Sequence, residues 1–209
     1  MKPYIFFLLF LLMLDAHAQP TGETGQWHAP QPLQILKAAP VALIPFPQEV
    51  QWLKEGWKLP SQLTIVVDGI QPSLTDNALR SLKALLAASS IQCNVKILSS
   101  NDKAPLHAIQ LKTANNPSLK AEGYQLNISA KGVLLQSNDA AGFYYGVQTL
   151  RQIMAQRNAK NQLPGCSITD WPAFALRGFM HDNGRNFQSI AMLKAQLDKL
   201  SWYKFNTFH

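Results

Sequence analysis

The apolar positions change their period several times along the chain, and each change marks an element. Residues 41–52, VALIPFPQEVQW, pass from an apolar run to alternation, and Pro45 and Pro47 restrict them to an edge strand or an extended segment. LTIVV (63–67) is short and β-branched, the mark of a buried strand. Between Ser73 and Ser90, Leu74, Ala78, Leu82, Leu85 and Leu86 recur at helical spacing on one face, with Ser73 or Thr75 placed to cap. CNVKILS (93–99) and HAIQLKT (107–113) alternate as strands. YQLNIS (124–129) and GVLLQS (132–137) follow, and Ala130-Lys131-Gly132 predicts a hairpin between them. In DAAGFYYGVQTLRQIMAQR (139–157) a second helical stripe runs through Phe143, Val147, Leu150, Ile153 and Met154. Gly142 and Gly146 lie on that helix at a spacing that implies close packing against a sheet.

Strands with two interspersed helices make residues 41–170 a small α+β layer domain, with the polar RNAKNQLPG (157–165) reading as its exit. The pattern then changes. RGFMHDN is strand-like, Ile190, Leu193, Leu197 and Leu200 have helical spacing, and FNTFH resembles another strand. A strand, a helix and a strand in that span predict a βαβ unit, with parallel strands and a right-handed crossover.

Two N-terminal segments stand apart. Lys2, the unbroken apolar run Ile5 to Leu14 and the small-x-small Ala16-His17-Ala18 have the form of a secretory signal peptide, residues 1–18, with Gln19 as the mature terminus. Those ten apolar residues reach about 15 Å as a helix, against a hydrocarbon core of about 30 Å, so they predict export and no membrane anchor. The destination is the periplasm or the medium. Residues 19–40, rich in Gly, Pro and Gln, read as a linker or extended lead-in.

Composition narrows the chemistry only slightly. The formal charge is +7, but the lysines are scattered, with no stripe or aromatic interleaving, and predict solvated faces and no nucleic-acid partner. Cys93 and Cys166 are the only cysteines. Each sits in a β-like run where a free thiol packs as a small hydrophobe, and spacing alone does not decide whether an oxidising compartment bridges them. No Cys/His cluster has zinc spacing, and no phosphate-binding glycine pattern occurs, so neither metal nor cofactor is expected.

The densest chemistry is in RGFMHDNGRNF (177–187). In a parallel α/β architecture, functional residues lie at the carboxyl ends of strands. Arg177 opens the strand and belongs to the structural face, as an ion-pair or carbonyl partner. Asp182 lies near its end and Arg185 just past it. A guanidinium with five fixed donors suits neighbouring hydroxyls or a carboxylate, and the plainer alternative is that Arg185 only pairs with Asp182.

EGYQLNISAKGVLLQSNDAAGFYYGVQTLRQI, then ITDWPAFALRGFMHDNGRNF and LSWYKFNTFH, resemble family 20 glycoside hydrolases, the β-N-acetylhexosaminidases, from about residue 41 to the end. The resemblance implies a small α+β domain followed by a (β/α)8 barrel, of which 171–209 would be an incomplete start. The family pattern R-G-x-x-x-D-x-x-R-x-F is met by Arg177, Gly178, Asp182, Arg185 and Phe187. It implies that Arg185 binds hydroxyls of the non-reducing sugar and that Asp182 supports the pocket or orients that arginine. The family's K-x-N-x-x-H appears as Lys204, Asn206 and His209, with His209 in a structural role. His181, where the family is usually apolar, reads as a satisfied core histidine. Ala173 and Leu176 also depart from the pattern, in place of an arginine and an aromatic.

Family members are substrate-assisted exceptions among glycosidases. The substrate's acetamido oxygen attacks the anomeric carbon, an aspartate steadies that group, and an adjacent glutamate serves as acid and then base. No adjacent Asp-Glu pair occurs in these 209 residues. The resemblance therefore implies the N-terminal part of an exported hexosaminidase whose acid/base pair lies beyond this chain, and a 209-residue portion inactive alone. Its substrates would be glycans ending in N-acetylglucosamine or N-acetylgalactosamine, or chitooligosaccharides. Two other readings stay open: a non-catalytic carbohydrate-binding or interaction module, and a different glycosidase carrying a related small domain.

Overall fold

The computed structural model describes residues 39–68, 72–98 and 104–209. The export segment at 1–18, and the lead-in at 19–40 apart from its last two residues, lie outside the described residues. The strands are β1 (Glu49–Lys58), β2 (Gln62–Asp68), β3 (Gln92–Leu98), β4 (Ala108–Thr113), β5 (Tyr124–Ser129), β6 (Gly132–Ser137), β7 (Gln162–Asp170), β8 (Gly178–Phe179) and β9 (Thr207–Phe208). The helices are α1 (Pro72–Ala88), α2 (Ala140–Ala155) and α3 (Ile190–Trp202).

Seven strands form one mixed sheet in the order β1-β7-β5-β6-β4-β2-β3. The β1, β7, β5 and β6 neighbours pair antiparallel, whereas β6, β4, β2 and β3 pair parallel. Both predicted helical stripes meet the sheet in one core: Ala78, Leu82 and Leu86 of α1 and Phe143, Val147, Leu150, Ile153 and Met154 of α2 pack with Ile65, Ile109, Leu126, Leu135 and Ile168. At Gly146 a Cβ would stand 2.2 Å from Leu135 Cδ1, and at Gly142 it would stand 2.2 Å from the Gly123 carbonyl oxygen. The glycine pair is therefore a packing device, as its spacing implies. Asp139 caps α2, accepting from the Gly142 N–H at 2.7 Å.

The stretch expected to leave the domain does not leave it. Gln162–Asp170 is β7, inserted between β1 and β5. Pro164 conceals this strand in the sequence, because a proline interrupts a ladder unless it sits at an edge or a bulge. Here β1 bulges opposite it, between Leu53 and Trp57. Gly165 and Gly56 let the two backbones close at that point. A Cβ on Gly165 would stand 1.9 Å from the Glu55 carbonyl oxygen, and one on Gly56 2.0 Å from that of Leu163.

β1 is an edge strand and begins just after Pro45 and Pro47, as the prolines require. The extended residues before it are tied to α2 by two side-chain amides. Gln156 accepts from the Ala42 N–H and donates to its carbonyl at 2.8 and 2.7 Å, and Gln152 does the same at Ile44. Val41 and Leu43, the residues that alternate with Ala42 and Ile44, enter the core. Replacing either glutamine with alanine removes its pair of hydrogen bonds and a third from the same amide, to the Gln152 carbonyl for Gln156 and at 3.5 Å to the Trp202 carbonyl for Gln152. Each change is expected to lower stability by about 1–2 kcal/mol, read as a shift of the urea midpoint at constant slope.

Cys93 lies on β3 and Cys166 on β7, and both are free. Five strand spacings separate them, about 24 Å at ~4.8 Å each, which answers the disulfide question through topology. Burial pushes the Cys166 thiol up from 9.0 to about 12. Stability from that buried neutral thiol is complete below pH 9 and is lost as pH rises towards 12, since only the unfolded thiol ionises in that window. A melting series from pH 8 upward should therefore fall less steeply above pH 9 for Cys166→Ala than for the parent.

β8 and β9 form a parallel pair, Gly178 opposite Thr207 and Phe179 opposite Phe208, joined through α3. This is the predicted βαβ unit. Its helix stripe differs from the expectation: Ile190 and Leu197 are exposed, Leu193 and Leu200 half-buried, and α3 has no buried residue. Phe174, Leu176, Met180 and Phe187 are also exposed, so most of the exposed large apolar side chains among the described residues lie in this unit.

Candidate functional site

Chemistry-bearing side chains gather at the two ends of β8. All of them belong to one compact unit, Ala38–His209.

At its amino end, Arg177 is fully engaged. Nη2 lies 2.6 Å from Glu122 Oε2 and donates to the Tyr145 hydroxyl at 2.9 Å. Nε donates to the Lys204 carbonyl at 2.7 Å and Nη1 to the Phe174 carbonyl at 2.8 Å. The expected role of Arg177 as ion-pair and carbonyl partner is what the structure shows. Beside it, Lys204 is buried with Nζ 2.7 Å from Asp170 Oδ2 and 3.0 Å from the Tyr124 hydroxyl. Tyr124 donates to Asp170 Oδ2 at 2.8 Å, and Thr149 Oγ1 lies 2.6 Å from its phenol oxygen. Burial, reinforced by the Asp170 charge, raises the Tyr124 phenol well above its ordinary range, so it stays a donor. Burial lowers the Lys204 ammonium, and the Asp170 carboxylate opposes that fall. A cavity of about 270 Å³ adjoins the cluster, walled by Phe46, Glu122, Tyr145, Trp171 and Phe174.

Past the carboxyl end, Asp182 and Arg185 face solvent, with side chains 60% and 88% exposed. Arg185 Nε stands 3.4 Å from Asp182 Oδ2, and Asp182 Oδ1 accepts from the Gly184 N–H at 2.9 Å. The two predicted residues are thus brought together, and the guanidinium keeps most of its donors facing outward. His181 is half-buried, stacks on Phe179 and has no hydrogen-bond partner at Nε2. It is not the satisfied core histidine expected. Its backbone N–H donates to the His209 carbonyl at 2.8 Å, which extends the β8–β9 pairing and gives His209 a structural contact.

Sequence reasoning missed Glu122, Tyr124, Tyr145 and Asp170 as partners. A lone lysine in the aromatic run W-Y-K-F was the one local signal, because such a lysine must find a buried acid.

Residues 41–171 match the model of Glycosyl hydrolase family 20, domain 2, and residues 174–209 match that of the Glycosyl hydrolase family 20, catalytic domain. The chain belongs to glycosyl hydrolase family 20. It is similar to the β-hexosaminidase of Porphyromonas gingivalis, 30% identical over 176 residues, which are 81% of this chain and 22% of the relative. It is 38% identical to the N,N'-diacetylchitobiase of Vibrio harveyi over 90 residues, 43% of this chain and 10% of that protein. The crystal structure of the family 20 exo-β-N-acetylglucosaminidase from Vibrio harveyi in complex with N-acetylglucosamine superposes with a TM-score of 0.65 at 27% identity, covering 80% of this chain and 25% of that one. The chain therefore spans about a quarter or less of these proteins. Family 20 β-hexosaminidases are glycoside hydrolases, and both predicted site residues, with Lys204, lie in the part matched by the catalytic-domain model.

Proposed function

We propose that the protein carrying this chain is an exported β-N-acetylhexosaminidase. It removes terminal non-reducing N-acetylhexosamine by substrate-assisted catalysis with retained configuration. Residues 171–209 are on this reading the first strand–helix–strand of a (β/α)8 barrel, and 41–170 the small domain before it. One observation carries the proposal: Asp182 and Arg185 stand together past the carboxyl end of β8, while the charges at its amino end are consumed in the half-buried Arg177–Glu122 pair and the buried Lys204–Asp170 pair. In a barrel, the carboxyl face is where sugars are bound and cleaved.

Arg185 then donates to hydroxyls of the non-reducing sugar, and Asp182 orients it through their 3.4 Å contact. The Asp-Glu pair that steadies the acetamido group and moves the proton comes from another part of the barrel. The printed names of the relatives, a chitobiase and an exo-β-N-acetylglucosaminidase bound to N-acetylglucosamine, favour N-acetylglucosamine-terminated substrates, chitooligosaccharides among them.

The test is hydrolysis of para-nitrophenyl N-acetyl-β-D-glucosaminide by the enzyme with its barrel complete, with the anomer released followed by NMR. Release of the β-anomer first is expected, together with no turnover by the 209-residue chain alone. Inverted product, or sugar binding without hydrolysis, would sink the proposal, and the latter would favour the binding module. Export has its own readout: the mature protein should begin at Gln19 when recovered outside the cytoplasm, and a retained Met1 would contradict it.

A further inference from the structure

Lys204 occupies a backbone position that a lysine should avoid. α3 ends in a paired C-terminal turn, with the Lys204 N–H donating to the Ser201 carbonyl and the Phe205 N–H to that of Leu200, both at 3.1 Å. The residue at this point of such a turn takes the left-handed conformation, and Lys204 has φ of 64°. Glycine is the usual occupant, and any side chain there costs about 1–2 kcal/mol. A non-glycine residue persists there when the surrounding structure holds it. Ser90 does so in the same turn at the end of α1, and at Lys204 the holding contacts come from the side chain.

That side chain crosses from the catalytic segment into the sheet domain. Nζ reaches Asp170, the last residue of β7, and Tyr124, the first of β5. The Lys204 carbonyl takes the Arg177 Nε–H, while Arg177 itself reaches Glu122 just ahead of β5. The Arg177 carbonyl accepts from Asn206 and Thr207, and its N–H donates to Asn206 Oδ1. One cluster thus ties the end of α3 and the starts of β8 and β9 to a single end of the seven-stranded sheet. Surface ion pairs contribute little, but Lys204 and Asp170 are each 8% exposed at the side chain, so this pair is neither screened nor free to rearrange.

We infer that Asp170, Tyr124 and Glu122 of the sheet domain are positioning residues for the sugar site, acting through Lys204 and Arg177 to set β8 against β9 and so to place Arg185. The inference rests on the hexosaminidase reading above. It gives the small domain a part in substrate recognition without any contact to sugar. A displacement of about 1 Å at a binding group is enough to lower rates as much as 10²-fold, so a modest loosening of β8 is visible in kinetics.

The experiment is a kinetic cycle on the complete enzyme with para-nitrophenyl N-acetyl-β-D-glucosaminide. Lys204→Gly removes the ammonium and relieves the backbone, and Asp170→Asn keeps size while removing the charge, so one variant remains should the other fold poorly. Each is expected to raise KM about tenfold with a smaller change in kcat. Combined with Arg185→Ala, each is expected to add almost nothing, because the residue it positions is gone. A merely structural role gives the opposite: losses that add to that of Arg185→Ala, or an unchanged KM. Either result overturns the inference while the parent enzyme stays active. A parent that releases no N-acetylglucosamine overturns the functional reading, and this inference with it.

Discussion

Replacement of Arg185 with alanine is expected to lower kcat/KM on β-linked N-acetylglucosaminides by about 10²–10³-fold and to leave the melting temperature nearly unchanged. The two halves come from the same geometry. The Arg185 side chain is 88% exposed and its ion-pair partner is the 60% exposed Asp182 at 3.4 Å, so its removal disturbs no core. Surface substitutions of this kind stay within about 0.5 kcal/mol in stability. A guanidinium bonded to sugar hydroxyls is another matter, since each hydrogen bond to a charged group contributes about 1.5–3 kcal/mol. Losing two of them at the weak end of that range, as suits an exposed site, gives about 3–4 kcal/mol, which is the stated factor. Arg185→Lys keeps the charge but not the planar fork, and should fall between the parent and the alanine variant. The competing account makes Arg185 only a partner of Asp182. An exposed pair is worth at most about 1 kcal/mol, so on that account activity hardly changes. Steady-state kinetics on the parent and the two variants decide between them.

The elements built from local pattern were legible in the sequence, and the connections that give them meaning were not. The apolar stripes of α1 and α2 predict their buried faces, because a 3.6-residue period maps one face directly onto the core. LTIVV predicts a buried strand, and the prolines at 45 and 47 predict where β1 can begin. Nothing local states that β2 pairs in parallel with both β3 and β4, since those partners are chosen by crossovers through sequence-distant segments. β7 was hidden for a different reason. Its proline lies opposite a bulge in β1, a feature of the partner strand more than a hundred residues away. At the site, strand-end logic sorts Arg177 from Arg185 correctly as to which is consumed in contacts within the fold and which faces solvent. The same logic overlooks the Lys204–Asp170 pair, because a buried pair is a property of two positions: the aromatic run around Lys204 hints at burial, but Asp170 alone looks like an ordinary surface charge. His181 fails in the opposite direction, since its place in an apolar pattern implies satisfaction that the fold does not supply.

Asp170→Ala is expected to be among the most destabilising single substitutions in the sheet domain, at about 3–5 kcal/mol, the usual consequence of stranding one member of a buried pair. Asp170 accepts from Lys204 at 2.7 Å and Tyr124 at 2.8 Å through Oδ2, and from the Gln48 N–H at 3.2 Å through Oδ1. Its loss leaves a buried ammonium without a counter-ion, and burial already holds the Lys204 ammonium below its ordinary range. The variant's deficit therefore shrinks as pH rises towards 10.5, where the unfolded lysine also gives up its proton and the difference between the states closes. Lys204→Met in the Asp170→Ala background removes the stranded charge and should recover most of the loss, because an apolar replacement of a whole buried pair is often neutral. Lys204→Met alone should be worse than the double variant, since it strands the carboxylate instead. Urea unfolding of the four proteins gives the coupling directly. Additive losses, or a cost below about 1 kcal/mol for Asp170→Ala, would mean that water or neighbouring groups solvate these charges. The sheet domain would then hold β8–β9 through the Arg177 contacts to Glu122 and Tyr145, with the Lys204–Asp170 pair incidental to it.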